Sequence, residues 1–172
     1  MTQLIQILPA IALRGTTILP DMIVHFDVSR ERSVKAIEAA MLHDQTIFLV
    51  TQKDPEIETP GIEELYKVGT VAYIKQVVKL PHNLLRVLVE GKTRAELLNI
   101  ESEEPYLRAE ITGFESDAQN YSEPVREAMY RSIRTLFHRY CMARGKISRA
   151  LAAQILNIQD REELISQIAV NL

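Results

Sequence analysis

The spacing of apolar residues predicts strands over the first two thirds of the chain and helices over the last third. Alternation, or a short continuous apolar run, is typical of strands, whereas recurrence every three or four residues is typical of helices. Val34, Ile37 and Met41 recur at helical spacing and predict a helix over 30–43, for which Ser29 is a suitable N-cap. Strands are predicted over 4–13, 23–28, 46–51, 67–79, 84–100 and 106–115.

Glycine and proline mark where these strands turn or bend. Pro9 has no amide N–H to donate to a ladder, which predicts an edge strand or a bulge. Gly91 interrupts the strand 84–100 and predicts a bend or bulge there. Turns are predicted at Arg14-Gly15 and at 80–83. Residues 53–61 are acidic and hold two prolines, so they are the best candidate for a mobile loop.

The last third of the chain is predicted to hold three helices. Ser122 is a suitable N-cap for the first, which ends at Gly145. The second begins near Ser148 and the third at Asp160, which forms a capping-box spacing with Glu163. The first helix carries one apolar stripe, made of Val125, Met129, Ile133, Leu136, Phe137, Tyr140 and Cys141. The apolar end at residue 172 suggests truncation, with ordinary fraying as the alternative.

Together these elements predict an α+β protein. Six strands with a single helix among them do not make a doubly wound parallel sheet, because each parallel pair needs its own crossover. We therefore expect a small, mostly antiparallel β-barrel or pair of curved sheets with one helix over residues 1–117. A small all-α helical domain is expected over residues 118–172.

Composition excludes several classes of protein. Apolar residues make up 47% of the chain and charged residues 25%, which is typical of a globular protein with a core. The single cysteine, Cys141, excludes an internal disulfide framework and a four-thiolate zinc site. No apolar run reaches the roughly 18–20 residues of a membrane span. We therefore expect a cytoplasmic protein with no membrane partner.

Charge is divided unevenly along the chain. Residues 1–117 hold 12 Lys+Arg against 18 Asp+Glu, whereas residues 118–172 hold 8 against 5. A net charge of −6 in the first segment argues against contact with a phosphate backbone, so no nucleic-acid partner is expected. The cations of the second segment fit a solvated helix face, with an acidic protein partner as the alternative.

Motifs for catalysis or for cofactor binding are incomplete. Gly91-Lys92-Thr93 matches the end of a phosphate-binding loop, but Arg86 stands where the first glycine of that motif is required. His138 and Cys141 share a helix face, yet no nearby pair completes a four-ligand zinc site. We expect no catalytic, metal or cofactor site in this chain, and a binding or scaffold protein is favoured over an enzyme. A small enzyme using His25 or His82 is a weaker alternative.

A series of short motifs follows a fixed order over residues 8–95. It opens with Leu8-Pro9, Leu13-Arg14-Gly15 and Ile18-Leu19-Pro20-x-Met22. It continues with Arg30-x-x-Ser33-x-x-Ala36-Ile37, Leu49-Val50-x-Gln52-Lys53-Asp54, Leu65-Tyr66-x-Val68-Gly69-Thr70-Val71-Ala72, Leu80-Pro81 and Val87-Leu88-Val89-Glu90-Gly91-x-x-Arg94-Ala95. Each motif is weak alone, but their order and spacing are specific. In this series the chain resembles the N-terminal domain of the Lon family of ATP-dependent proteases, over nearly its whole length.

The resemblance implies a fold and a role. It implies a PUA-like β-domain followed by a helical domain, which together select unfolded, damaged or degron-bearing proteins. It also implies a parent that assembles as a hexamer, unfolds substrates with an AAA+ motor and cuts them with a Ser-Lys dyad. None of those catalytic residues matches a position here, so ATP and magnesium would bind elsewhere in the parent. Taken alone, the chain is expected neither to hydrolyse ATP nor to cut peptide bonds.

The leading hypothesis is a substrate-recognition fragment of a Lon protease. Apolar residues at predicted turns are the candidate contacts for client proteins, with packing against the domain's own core as the alternative: Leu19, Pro20 and Met22 in one loop, and Leu80 and Pro81 in another. The competing hypothesis is a stand-alone Lon-N-like adaptor, or a PUA-like module that binds RNA or a small ligand. We expect a monomer or weak dimer, because the hexamer of the family depends on other regions.

Overall fold

The computed structural model describes residues 4–114 and 121–172, and it divides the chain into two compact units. The β-unit is Met1–Phe114 and the helical unit is Glu115–Leu172. The boundary predicted between residues 117 and 118 lies outside the described residues. Each unit buries an apolar core of its own.

The β-unit contains the predicted strands and helix. Its elements are β1 (Gln6–Leu13), β2 (Ile23–Val28), α1 (Glu31–Met41), β3 (Thr46–Thr51), a single 3-10 turn (Ile62–Glu64), β4 (Val68–Leu80), β5 (Leu84–Ser102) and β6 (Leu107–Gly113). The prediction of Ser29 as N-cap is wrong, because α1 is capped by Arg30, whose side chain forms no capping hydrogen bond. Instead that side chain reaches backbone carbonyls of other segments.

The strands form one mixed sheet. Their order is β2-β5-β4-β3-β1-β6, and β5 also pairs with β6, so that five of the strands form a closed ring of pairings. All pairs are antiparallel except β1 with β3, which run parallel. The α+β prediction is therefore confirmed as a mixed sheet accompanied by several helices.

β1 occupies an interior place in this sheet. It lies between β3 and β6, so the edge position predicted from Pro9 is wrong. Pro9 pairs with Arg108 of β6, and the register with β3 begins one residue later, at Ala10. Proline is therefore placed just before the point where β1 becomes paired on both sides.

The core of the β-unit lies on both faces of β1 and β3. Successive residues of a strand point to opposite faces, so Ile11 and Leu49 join one apolar cluster while Ala12 and Phe48 join the other. Helix α1 contributes Ala36, Ile37 and Ala40 to the first cluster. Burial on both faces explains why the sequence of β3 is a continuous apolar run rather than an alternating one.

Gly91 marks a bulge in β5, as predicted. Ala72 of β4 pairs with Gly91 and Val71 pairs with Thr93, so one residue of β5 is left over. The turn before β2 lies directly on this point: Asp21 N–H donates to the Gly91 carbonyl at 3.0 Å, and Gly91 N–H donates to the Met22 carbonyl at 2.9 Å. A Cβ at residue 91 would lie 2.2 Å from the Leu19 carbonyl oxygen. The turn therefore packs where the strand has no side chain.

The helical unit consists of α2 (Glu123–Arg144), α3 (Arg149–Leu156) and α4 (Arg161–Asn171). The predicted ends are confirmed: Gly145 is the left-handed C-cap of α2, and the side chains of Ser148 and Asp160 cap α3 and α4. Buried apolar side chains join the three helices in one core, namely Phe137, Cys141, Ala152, Ile155, Leu164 and Ile168.

Only part of the apolar stripe on α2 is covered. Phe137 and Cys141 are buried, but Val125, Met129 and Leu136 are 43%, 47% and 60% exposed. The cations of this unit fit a solvated face with internal pairs, because Arg161 bonds Glu123 and Glu127, and Arg134 donates to the Ile158 carbonyl. Within residues 4–114 and 121–172, no helix has the length and apolar character needed to cross a membrane.

Candidate functional site

Two adjoining cavities form a groove over β1 and the first turn of α1, which we call the Arg30 groove. Their volumes are about 250 Å³ and 320 Å³, and both are lined by Ala12, Arg30 and Ser33. In the smaller cavity the apolar floor is made by Ala10 and Leu107, and the opposite wall by 58–60. In the larger cavity the lining continues along the ends of β1 and β2, with Ile11, Leu13, Arg14, Thr16, Phe26, Asp27, Val28 and Ser29.

One wall of the Arg30 groove is the acidic loop 53–61. Hydrogen bonds hold this loop against the sheet, so it is anchored rather than a free excursion. The Gln52 side-chain amide donates to the Asp54 carbonyl at 3.1 Å and to the Ile57 carbonyl at 2.9 Å. The Arg30 guanidinium adds a third anchor through the Glu58 carbonyl, at 3.3 Å. Gln52 is buried, which places these bonds out of competition with water.

Replacing Gln52 by alanine is expected to release the acidic loop while the sheet stays folded. Two hydrogen bonds are lost, each contributing about 1 kcal/mol net, so the open form of the loop becomes about ten-fold more populated. Limited proteolysis with a glutamate-specific protease measures this as faster cleavage after Glu56 and Glu58. Gln76→Ala, at an exposed position of β4, is the matched control. Equal cleavage rates for the two variants would contradict the anchoring role.

Most charged residues around the Arg30 groove have an acidic or basic partner. Asp27 accepts two hydrogen bonds from Arg86, at 2.8 and 2.9 Å, and this contact lowers the pKa of the carboxyl below its usual range. Glu31 pairs with Lys35 at 2.7 Å, and Arg14 lies 3.5 Å from Glu58. Arg32 also pairs with an acid, since its guanidinium is 2.5 Å from Glu104.

Arg30 differs from these residues. Its guanidinium donates to the Ala12 carbonyl at 2.5 Å and to the Glu58 carbonyl, both of which are neutral groups. Burial lowers the pKa of this guanidinium, and the nearby charge of Arg14 lowers it further, while Glu58 opposes the change. An arginine nevertheless keeps its charge at neutral pH. A half-buried cation therefore lies between the two cavities.

The first predicted contact surface, Leu19, Pro20 and Met22, forms a tight turn. Met22 N–H donates to the Leu19 carbonyl at 3.2 Å, and Leu19 N–H donates to the Met22 sulfur at 3.2 Å. Pro20 is followed by Asp21 with φ of 64°, which is the residue pattern of a type II turn. Met22 packs against the core, and all three predicted residues are half-buried rather than open.

The second predicted surface, Leu80 and Pro81, lies at the tip of the β4–β5 hairpin. Leu80 pairs with Leu84 and is half-buried, whereas Pro81 is exposed. The turn at 19–22 contacts Gly91, seven residues further along β5, which is about 20 Å away at the usual rise of a strand. The structure thus does not bring the two predicted surfaces together.

The residues of the Arg30 groove were not predicted as a site. Arg30 and Ser33 entered the sequence analysis only as part of a motif that the chain shares with a family. One signal was available: Arg30 and Arg32 flank the start of a helix, where the helix dipole disfavours cations. Among the described residues no cluster of three metal-ligating side chains occurs, and Cys141 is a buried free thiol.

Sequence comparison places residues 7–172 within a known family. They match the family described as the ATP-dependent protease La (LON) substrate-binding domain. The chain is 42% identical over 172 residues to the Lon protease of Lachnoclostridium phytofermentans, covering 100% of this chain and 21% of that protein. It is 38% identical over 165 residues to Lon protease 1 of Bacillus subtilis, covering 96% of this chain and 21% of that protein. The chain thus spans about a fifth of the length of these relatives.

Structure comparison agrees at the level of the fold. The N-terminal domain of the Mycobacterium avium complex Lon protease superposes with a TM-score of 0.57 at 18% identity, covering 97% of this chain and 100% of that one. A Lon N-terminal domain protein from Xanthomonas campestris gives 0.55 at 13% identity, covering 96% and 98%. Because the family match extends over nearly the whole chain, this protein belongs to the Lon substrate-binding domain family.

Proposed function

We propose that this chain captures unfolded, damaged or degron-bearing proteins for a Lon-type protease. The observation that carries the proposal is the match of residues 7–172 to the Lon substrate-binding domain. Capture would be weak at each site and strengthened in a hexameric parent, because several copies raise the effective concentration of a bound client. Delivery to the AAA+ motor, hydrolysis of ATP with magnesium, and cleavage would belong to other parts of that parent.

We propose the Arg30 groove as the principal contact surface for clients. It is concave, it has an apolar floor at Ala10 and Leu107, and it has polar groups at its margin, which is the usual composition of a binding site. An extended polypeptide suits it better than a folded one, because only a single strand of chain would enter between the loop 58–60 and the first turn of α1. The Leu80-Pro81 hairpin tip remains a second candidate surface.

Binding of a permanently unfolded protein tests this proposal. Thr59 is exposed at the margin of the smaller cavity, so a tryptophan there would occupy the groove without disturbing the core. Thr59→Trp is expected to weaken binding of labelled, reduced and carboxymethylated lactalbumin about five- to ten-fold, measured by fluorescence anisotropy. Thr93→Trp, at an exposed position of β5, is the matched control and should bind as the unchanged protein does.

The alternative surface is tested in the same assay. Leu80→Asp changes the hairpin tip alone, whereas Met22→Asp would also break a half-buried turn and would confuse binding with stability. A loss of binding in Leu80→Asp but not in Thr59→Trp would move the contact surface to the hairpin. Absence of binding by the unchanged protein would overturn the proposed function itself.

Binding of RNA by a stand-alone module is the weaker alternative. Residues 1–117 carry a net charge of −6, and the cations along the groove are largely paired with acids. A polyanion would therefore be repelled by most of this unit.

A further inference from the structure

The strongest unused feature of the molecule is the charge of Arg30. Among the part of the chain that the structure describes, Arg30 is the one charged residue of the groove lining that has no oppositely charged side chain within 4.0 Å. Its hydrogen bonds go to the Ala12 and Glu58 carbonyls. A guanidinium has five N–H donors, so these two bonds leave donors available to a further acceptor.

Two other features place donors beside this charge. The first N–H groups of a helix have no partner within the helix, and Glu31 and Arg32 of the first turn of α1 line the smaller cavity. Ser33 lines both cavities and is only 9% exposed, and no hydrogen bond joins its hydroxyl to another described residue. A nine-tenths buried hydroxyl without a partner is an acceptor or donor that a ligand would satisfy.

The lining beside Arg30 also favours an apolar group. Ala10, Leu107 and Pro60 form a recess in the smaller cavity, and the first two are buried core residues. The cation and the recess share one cavity, so a ligand that fills both must carry an anionic oxygen close to an apolar side chain. A dianionic phosphate fits less well, because Glu31 and Glu58 line the same cavity.

We propose that the Arg30 groove recognises a carboxylate of an extended polypeptide next to an apolar residue of that polypeptide. The carboxylate accepts hydrogen bonds from Arg30 and from Ser33, and the apolar side chain enters the recess. The carboxylate has two possible sources, the free C-terminus of a client or an Asp or Glu side chain. This inference rests on the proposed function, for which it specifies the chemistry of the segment that is bound.

Three labelled peptides of one eight-residue sequence ending in leucine test the inference with the whole 172-residue chain. The first has a free C-terminal carboxylate, the second a C-terminal amide, and the third an amide with glutamate beside the leucine. A hydrogen bond to a charged group predicts that the first or the third binds about ten-fold or more tightly than the second. Tight binding of the first alone identifies the C-terminus, and equal binding of the first and third identifies any carboxylate. Equal binding of all three overturns the inference.

Variants assign the effect to Arg30. Arg30→Gln is expected to remove the difference between acid and amide peptides, whereas Arg108→Gln, in an exposed pair with Glu101 on the same unit, should preserve it. If Arg30→Gln does not fold, the acid preference of the unchanged protein should shrink when salt is raised from 50 to 500 mM. A preference that is independent of salt would then overturn the role of the cation.

The two proposals fail separately in this design. If unfolded lactalbumin binds but none of the peptides does, the carboxylate inference is wrong and the proposed function stands. If neither binds, the proposed function fails as well. Tighter binding of a single-stranded RNA oligonucleotide than of the acid peptide would also overturn the inference, in favour of a nucleic-acid ligand.

Discussion

Replacing Gly91 by alanine is expected to lower the stability of the β-unit by about 3 kcal/mol, near the upper end for an overpacked site. The added Cβ would lie 2.2 Å from the Leu19 carbonyl oxygen, and this neighbour is backbone, which no side-chain rotation relieves. Relief requires the turn at 19–22 to move off β5, and movement also breaks the two hydrogen bonds that join Gly91 to Asp21 and Met22. Thermal unfolding followed by circular dichroism should show a midpoint lower by about 10 °C or more.

A matched control exists on β6. Gly113 is also a strand glycine, but a Cβ built there meets nothing within 4 Å. Gly113→Ala is therefore expected to leave the midpoint within a degree or two of the unchanged protein, since exposed substitutions change stability by about 0.5 kcal/mol or less. Similar midpoints for the two variants would show that the turn at 19–22 yields freely and does not depend on close contact with β5.

Phe48→Ala is expected to destabilise the β-unit most, by about 4 kcal/mol. Phe48 is fully buried in the second core cluster, so its truncation removes a large apolar group and leaves a cavity. Chemical denaturation should show a lower midpoint, and Phe114→Ala, at a residue 38% exposed, is the control of the same chemistry. A loss below about 1 kcal/mol would show that the surrounding core collapses to fill the space.

The ring of Phe48 also explains why residue 69 is glycine. A Cβ at residue 69 would lie 2.5 Å from a ring carbon of Phe48 and 2.6 Å from the Leu49 carbonyl oxygen. Gly69→Ala should therefore cost less stability in the Phe48→Ala background than alone, although the carbonyl contact persists. Additive losses in the double variant would contradict direct packing of the ring on the strand.

The sequence allowed the elements to be predicted much better than their partners. Periodicity is a property of each segment, so all six strands and the helices were found at close to their observed positions. Caps at Ser148 and Asp160 were predicted for the same reason, because a capping bond joins neighbours in sequence. Pairing joins distant segments, and for this reason the interior place of β1, with Pro9 in it, was missed.

The site was predicted less well than the fold. Exposure at a turn was assumed for Leu19 and Met22, but the contact with Gly91 that half-buries them joins segments about 70 residues apart in sequence. The Arg30 groove likewise combines β1, α1, the loop 58–60 and β6, which no local pattern links. Half of the stripe on α2 was assigned to a core that does not reach it, since apolar spacing alone does not tell which side of a helix finds a partner.

The pairing of β1 with β6 has a consequence for the order in which the protein is made. β1 is among the first segments to leave the ribosome, yet one of its two partners, β6, ends only at Gly113. At a synthesis rate of about 5–20 residues per second, β1 waits for several seconds with one side unpaired. A nascent chain that stops before Leu107 would keep the pairs of β1 with β3 and of β4 with β5, but would leave open edges on β1 and on the second half of β5. Open strand edges associate with one another, so this domain is most prone to aggregation during its own translation.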